Sequence, residues 1–188
     1  MISEWAYYKQ HFTPEQCDKI IFEALKIPSQ NGTLGPQSIR TNNDWRRSTV
    51  RGIVRSPLWS WLFLEVEKLV SAANSQWFNV DYSYLPEIQF ATYDAETQGC
   101  YKFHKDTHIV SPLPTHRKLS FTIQLSDPSD YEGGELKFID VASHPKEENL
   151  RLRGTVCVFP SIIYHEVTPV TLGTRHSLAG WFEGPRWR

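Results

Sequence analysis

His104, Asp106 and His108 stand at two-residue spacing in the stretch "CYKFHKDTHIV", among Tyr101, Phe103, Ile109 and Val110. Two imidazoles and a carboxylate are donors for a first-row transition metal. If the stretch is a strand, all three side chains leave one face of it. A His-x-Asp pair by itself is a weak signal, since most isolated surface histidines and aspartates are merely solvated. The pair gains weight from a later segment, "VFPSIIYHEVTPVTLGTRHSLAGWFEG", which places His165 in a short β-like run after an apolar one. His165 and His108 compete for the third ligand position. The turn "VSPLPTH" ends the first strand, and a donor from a second strand closes a facial arrangement more easily than three donors from one, which favours His165.

Arg175 follows His165 by ten residues, across the single turn "PVTLG". A hairpin with a four- or five-residue loop would return Arg175 to the side of His165. Two histidines and one carboxylate occupy one face of an octahedral metal and leave the opposite positions for a chelating cosubstrate and dioxygen. A dicarboxylate chelating through its keto-acid end needs a cation for its far end, and a guanidinium supplies one bidentately.

Several elements must position these groups. "TPEQCDKIIFEALKI" has Thr13 as a cap, Pro14 at the first helical position, Gln16 three residues after the cap, and apolar residues at helical spacing. "SPLWSWLFLEVEKLVSAAN" again opens on serine and proline, with a stripe of Leu58, Leu62, Glu65, Val66 and Leu69, and predicts a second helix. Between them, residues 29–52 carry three glycines, a proline, several asparagines and four arginines. That composition reads as a long loop, in which Trp45, Arg46, Arg47 and Arg51 either meet a substrate in a segment that closes over the site or, the favoured reading, form a solvated loop with Trp45 as its anchor. After Leu85 the pattern changes to short β-branched and aromatic runs, which predict strands near 86–93, 101–107, 117–125, 135–139, 155–159, 164–168 and 175–182. Separators such as "SDPSDYEGG" and "HPKEENLRLRG" are turn-rich. Helices followed by many short strands predict an α+β, mainly β domain whose β part is a jelly roll. One domain is expected over 1–188, with a helical flank and loop over 1–80 and the jelly-roll core over 81–188.

Other classes are disfavoured. There is no GxGxxG and no GxxxxGK[ST]. Lysine and arginine total 20 against 21 acids, a net charge of −1, so no global field favours nucleic acid. Cys17, Cys100 and Cys157 are odd in number and lack CxxC spacing, which suits a reducing compartment. No window reaches the roughly 20 apolar residues of a membrane span. A cytoplasmic protein without membrane contact is expected. His11, His116, His144 and His176 read as surface or structural histidines, and Phe159 and Tyr164 as packing residues.

The order His104-x-Asp106, "RKLSFTIQLSDPSDYEGGEL", "GTVCVFPSIIYHEVTPVTLGTRHSLAGWF" resembles the Fe(II)- and 2-oxoglutarate-dependent dioxygenases, in particular the prolyl-4-hydroxylase-like branch. The resemblance includes Tyr101 three residues before His104 and spans about residue 85 to the end. "RRSTV" is similar to the same branch at lower specificity. The resemblance implies a double-stranded β-helix with flanking helices, Fe(II) on His104, Asp106 and His165, and Arg175 on the distal carboxylate of 2-oxoglutarate. Tyr93 or Tyr101 would add a hydroxyl to that pocket. It further implies O2 as second cosubstrate, admits ascorbate as an additional cofactor, and predicts hydroxylation of an unactivated C–H bond with release of succinate and CO2. A peptidyl proline is the first expected substrate, and a free amino acid or small molecule the second. A non-catalytic jelly-roll binding module is a third reading, but it has no need of His104, Asp106, His165 and Arg175 together. Related halogenases replace the carboxylate ligand with a small residue, whereas this chain keeps Asp106. Collagen-type animal enzymes carry lysine where this chain has Arg175, which points away from collagen-like substrates and toward the bacterial and viral side of the branch.

Overall fold

The computed structural model describes residues 4–33, 44–107 and 113–187. His108 and the central part of the 29–52 segment lie outside the described residues. In chain order the elements are β1 (Ala6–Tyr8), α1 (Pro14–Ala24), β2 (Gln30–Asn31), β3 (Arg46–Arg47), β4 (Thr49–Ile53), α2 (Ser60–Ala73), β5 (Ile88–Asp94), β6 (Cys100–His104), β7 (Thr115–Gln124), β8 (Tyr131–Gly133), β9 (Leu136–Phe138), α3 (Glu147–Arg151), β10 (Val156–Pro160), β11 (His165–Val167) and β12 (Val170–Pro185). They form two antiparallel sheets. The larger runs β1-β10-β7-β12-β5-β4-β2, with β8 added to the start of β12; the smaller runs β3-β6-β11-β9. This is the expected jelly roll, with α1 and α2 as its N-terminal flank.

Alternation along the strands of the larger sheet decides what each face does. Ile88 and Phe90 of β5, Phe121 and Ile123 of β7, and Leu178 and Phe182 of β12 join Ile20 of α1 and Leu62, Phe63 and Val66 of α2 in the main apolar cluster. The intervening residues, among them Gln89, Tyr93, Thr122, Arg175 and Ser177, line the space between the sheets. Two smaller apolar clusters border that space, one around Tyr131 and Val170 that lends Tyr93 and Val167 to its lining, and one around Phe138 that lends Leu136 and Phe159.

The first helix begins as the sequence predicts. Thr13 Oγ1 accepts from the Gln16 amide and Gln16 Oε1 accepts from the Thr13 amide, so two of the unpaired donors at the helix start are satisfied reciprocally. The second begins later than expected. Residues 56–59 form a turn in which the amides of Trp59 and Ser60 both donate to Ser56 O, and the helix proper starts at Ser60. Leu58 therefore falls outside the apolar stripe and is 46% exposed.

The 29–52 segment departs from the loop reading. It contributes β2 and β4 to the edge of the larger sheet and β3 to the edge of the smaller one. Their composition carries no strand pattern because β2 and β3 are only two residues each, Gln-Asn and Arg-Arg, and they exist by pairing with β4 and β6, as β4 does by pairing with β5. The predicted strand at 175–182 is the middle of β12, whose earlier part pairs with β8. The predicted strand at 101–107 stops at His104.

A Thr13→Ala substitution removes the reciprocal cap, and is expected to lower stability by about 1 kcal/mol. Urea denaturation midpoints at unchanged slope would register it.

Candidate active site

The smaller sheet places the two imidazoles. His104 ends β6, His165 begins β11, and the two are paired directly across the ladder. Their Nδ1 atoms lie 2.8 Å from Lys102 O and 3.0 Å from Ile163 O. A carbonyl can only accept, so each Nδ1 carries the proton and each Nε2 presents a lone pair to the cavity. Asp106 is not on the strand. It sits just past it, and its amide donates to Ser161 O at 3.0 Å, which turns the carboxylate back toward the imidazoles. Asp106 Oδ1 then lies 3.5 Å from His104 Nε2, and Oδ2 lies 3.5 Å from His165 Nε2. One donor atom from each of the three residues falls within 4.8 Å of the others.

The electrostatics of this group are one-sided. Burial pushes the His165 pKa down to about 4, so its ring is neutral at ordinary pH. Burial alone would raise the Asp106 pKa, but in acid the attraction of the protonated His165 and His104 imidazoles, with Arg117 beyond them, outweighs burial and holds the carboxyl below the usual carboxylate range. Lone pairs and a carboxylate thus converge on one small volume. A cation there satisfies all three donors, and the nitrogen–oxygen set suits a divalent transition metal.

Arg175 enters from the opposite sheet. The hairpin expected between His165 and Arg175 does not form, because β11 belongs to the smaller sheet and β12 to the larger, where Arg175 pairs with Tyr93 of β5. The "PVTLG" segment pairs with β8 instead. The convergence survives by a different route: Arg175 and the His/Asp/His group line the same cavity of about 510 Å³, open part included. Arg175 is 5% exposed, donates from Nη1 to Ser177 Oγ at 3.2 Å, and leaves its buried Nε without a partner among the described residues. A buried guanidinium with an unsatisfied donor is a site for an anion. Gly134 makes room for it, since a Cβ there would stand 2.7 Å from Arg175 Cδ.

Tyr93 and Tyr101 line the same cavity. The Tyr93 ring lies 5.4 Å from the Arg175 guanidinium. Tyr101 stacks on the His104 imidazole, centroids 3.5 Å apart and planes within 15°. Its pKa is pushed up to about 12, chiefly by burial, so the phenol stays protonated. All six residues singled out from the sequence, His104, Asp106, His165, Arg175, Tyr93 and Tyr101, therefore face one space.

Arg46 is there too, against the expectation that it is solvated. Its guanidinium donates to Gln89 Oε1 at 2.7 Å, to Ser48 Oγ and to Thr33 O, and lies 4.5 Å over the Tyr101 ring. The alternation Arg46-x-Ser48-x-Val50 was the available signal, masked by the loop-like composition around it. Trp181 was missed as well, although it follows Arg175 by an even number of residues on one strand and so shares its face.

The profile of the 2OG-Fe(II) oxygenase superfamily matches residues 88–183, just over half of the chain, and this stretch holds all six residues. The chain belongs to that superfamily. Among its curated relatives, a PKHD-type hydroxylase of Synechococcus sp. strain CC9902 is 44% identical over 78 residues, 40% of this chain and 34% of that protein. A PKHD-type hydroxylase of Idiomarina loihiensis is 38% identical over 84 residues, 44% of this chain and 36% of that protein. The matched stretch thus spans little more than a third of either relative. Two solved 2OG-Fe(II) oxygenase folds superpose over nearly the whole chain. A Pseudomonas putida prolyl-4-hydroxylase gives a TM-score of 0.70 at 20% identity, covering 99% of this chain and 94% of that one. A Trichoplax adhaerens prolyl hydroxylase, solved with a peptide fragment of the hypoxia inducible factor oxygen degradation domain, gives 0.74 at 16% identity, covering 96% and 83%. At those identities the likeness is one of fold.

Of the described histidines of this superfamily member, only His104 and His165 line the cavity. His11 pairs with Glu65 at the surface, and His116 is buried against the chain end, accepting from the Trp187 amide. His176 stacks on Phe90 and faces away from the cavity. Burial, with Arg51 and Arg175 nearby, pushes its pKa down to about 4. Between pH 6.5 and 4 the unfolded chain then binds a proton at this position that the folded chain does not, so stability falls as pH drops through that window. Metal-free His176→Gln is expected to show a flatter stability profile there than the parent, by on the order of 1–3 kcal/mol. Denaturant titrations at pH 7 and pH 4.5 would measure it.

Proposed function

We propose that the chain is an Fe(II)- and 2-oxoglutarate-dependent hydroxylase, with His104, Asp106 and His165 as the metal ligands, Arg175 as the anchor for the distal carboxylate of 2-oxoglutarate, and a peptidyl proline as substrate. The observation that carries the reading is the pairing, in one cavity, of an electron-rich three-donor cluster on the smaller sheet with a buried, incompletely satisfied arginine on the larger. The first asks for a divalent cation and the second for a carboxylate. A keto-dicarboxylate spans the two, one end on each sheet.

When bound, Fe(II) with 2-oxoglutarate and O2 supplies the oxidising chemistry, and the cosubstrate leaves as succinate and CO2. The chain's own residues do the rest. Lys102 O and Ile163 O hold the two imidazoles in the tautomer that offers Nε2. Arg175 sets the direction of the cosubstrate by a charge-assisted contact. Tyr93 flanks the guanidinium and narrows the space for the distal carboxylate. Tyr101, pinned between His104 and Arg46, keeps the ligand ring from turning and adds a protonated hydroxyl to the wall. Phe159, edge-on to His165 at 4.7 Å, seals the other side against water. Trp181, Gln89 and Arg46 line the part of the cavity that substrate would use.

The peptide reading is supported by prolyl hydroxylases being similar in fold over almost the whole chain, one of them solved with a peptide. Asp106, a ligand rather than a small residue, supports hydroxylation over halogen transfer.

Anaerobic addition of Fe(II) and then 2-oxoglutarate is expected to give the weak visible charge-transfer band of a chelated keto acid. The band should vanish in Asp106→Ala, and Arg175→Ala should raise the 2-oxoglutarate concentration for half-saturation at least about tenfold, or ~1.4 kcal/mol. A folded parent protein with no band would sink the assignment. Gly134→Ala, whose added methyl meets Arg175 rather than the metal donors, is expected to weaken 2-oxoglutarate binding while leaving the affinity for Fe(II) alone within about twofold. Incubation with proline-containing peptides, read by mass spectrometry for the gain of one oxygen atom, tests the substrate.

A further inference from the structure

The two oxygens of Asp106 have unequal surroundings. Oδ2 accepts a 2.7 Å hydrogen bond from Ser120 Oγ, and Ser120 Oγ lies 2.9 Å from Ser161 Oγ. A hydroxyl has one proton to give, and an ionised carboxylate can only accept. The Ser120 proton is therefore committed to Asp106, and Ser161 must donate to Ser120. The relay runs one way, Ser161 to Ser120 to Asp106 Oδ2.

Its members are locked in place by the backbone. Ser120 sits in the middle of β7, paired with Phe159 of β10 and with Trp181 of β12. Ser161 directly follows β10; its amide donates to Lys118 O and its carbonyl accepts from the Asp106 amide, both at 3.0 Å. The serines are 1% and 0% exposed and the aspartate 7%. Burying two hydroxyls this completely is costly unless they are used, and the terminus of the relay is the carboxylate oxygen.

We propose that Ser120, backed by Ser161, is a positioning residue: it occupies Asp106 Oδ2 and leaves Oδ1, the oxygen facing His104, as the one offered to the metal. The carboxylate then contributes one donor instead of two, which keeps a position free for cosubstrate. The inference rests on the metal-ligand assignment above.

Co(II) alone, titrated into the parent protein, Ser120→Ala, Ser120→Thr, Ser161→Ala and Asp106→Ala, reads both affinity and the visible ligand-field spectrum. Ser120→Ala is expected to bind Co(II) about 10–100-fold more weakly, because the hydrogen bond that orients the carboxylate is lost, and with a changed spectrum, because the freed Oδ2 can then contact the metal. Ser120→Thr keeps a hydroxyl and is expected to restore affinity and spectrum, and Ser161→Ala to fall between. Ser120→Ala with the parent affinity and spectrum, while Asp106→Ala loses binding, would overturn this inference and leave the ligand assignment standing. A lower melting temperature in Ser120→Ala with an unchanged spectrum would mean a purely structural serine, and would overturn it equally. Failure of the folded parent protein to bind Co(II) would remove the ligand assignment and this inference together.

Discussion

An ionised carboxylate held in the interior, between two sheets, is the constraint from which the rest of the architecture follows. Taking Asp106 out of water costs several kcal/mol unless compensating groups are already in place. Four separate parts of the chain meet there: Ser120 from β7 donates to the carboxylate, the Ser161 carbonyl fixes the aspartate's own amide, and His104 from β6 and His165 from β11 complete with it a donor set that a cation would neutralise. Local structure alone cannot assemble that set. A two-sheet sandwich can, because strands remote in sequence lie side by side and every second side chain points into the space between the sheets.

The helices follow from the same constraint. With its inner face committed to polar and charged residues, the larger sheet cannot draw its cohesion from the space between the sheets. Its outer face supplies it instead, through Phe90, Phe121, Ile123, Leu178 and Phe182, and these need a cover. α1 and α2 are that cover, and the principal hydrophobic core lies between helix and sheet. The opposed electrostatics of the cavity also have an architectural cause. The electron-rich donors are on one sheet and the guanidinium on the other, so neither neutralises the other in the absence of ligand.

Much of this was legible in the residues and some was not, for definable reasons. The fold class came through because strand-forming runs punctuated by turn residues dominate from Ile88 onward, and the Thr13 cap announced α1 by local chemistry alone. His104, Asp106, His165 and Arg175 stood out because their residue types are costly to bury without a use. The relation between His165 and Arg175 was misread as a hairpin, since ten residues and one turn suit a hairpin equally well as a crossing between sheets; only the partner strands decide, and those are distant in sequence. Arg46 was hidden by its loop-like neighbours. Ser120 and Ser161 were invisible for a simpler reason, that an unremarkable serine in a strand or turn gains its meaning from a partner forty residues away.

The strands that carry the two halves of the site differ in how they are held. Arg175 sits on a strand of 16 residues, paired with β5 on one side and with β7 or β8 on the other. His165 sits on a strand of three, and His104 at the last position of a strand of five. Local opening is cheapest where fewest backbone bonds must break. The smaller sheet can therefore fray at the His104 and His165 ends while the larger stays closed, and under the proposed ligand assignment a metal would exchange with solvent through a fluctuation that leaves the Arg175 side of the cavity formed. The residues proposed for the metal and the residue proposed for the cosubstrate thus sit on strands that open at unequal cost.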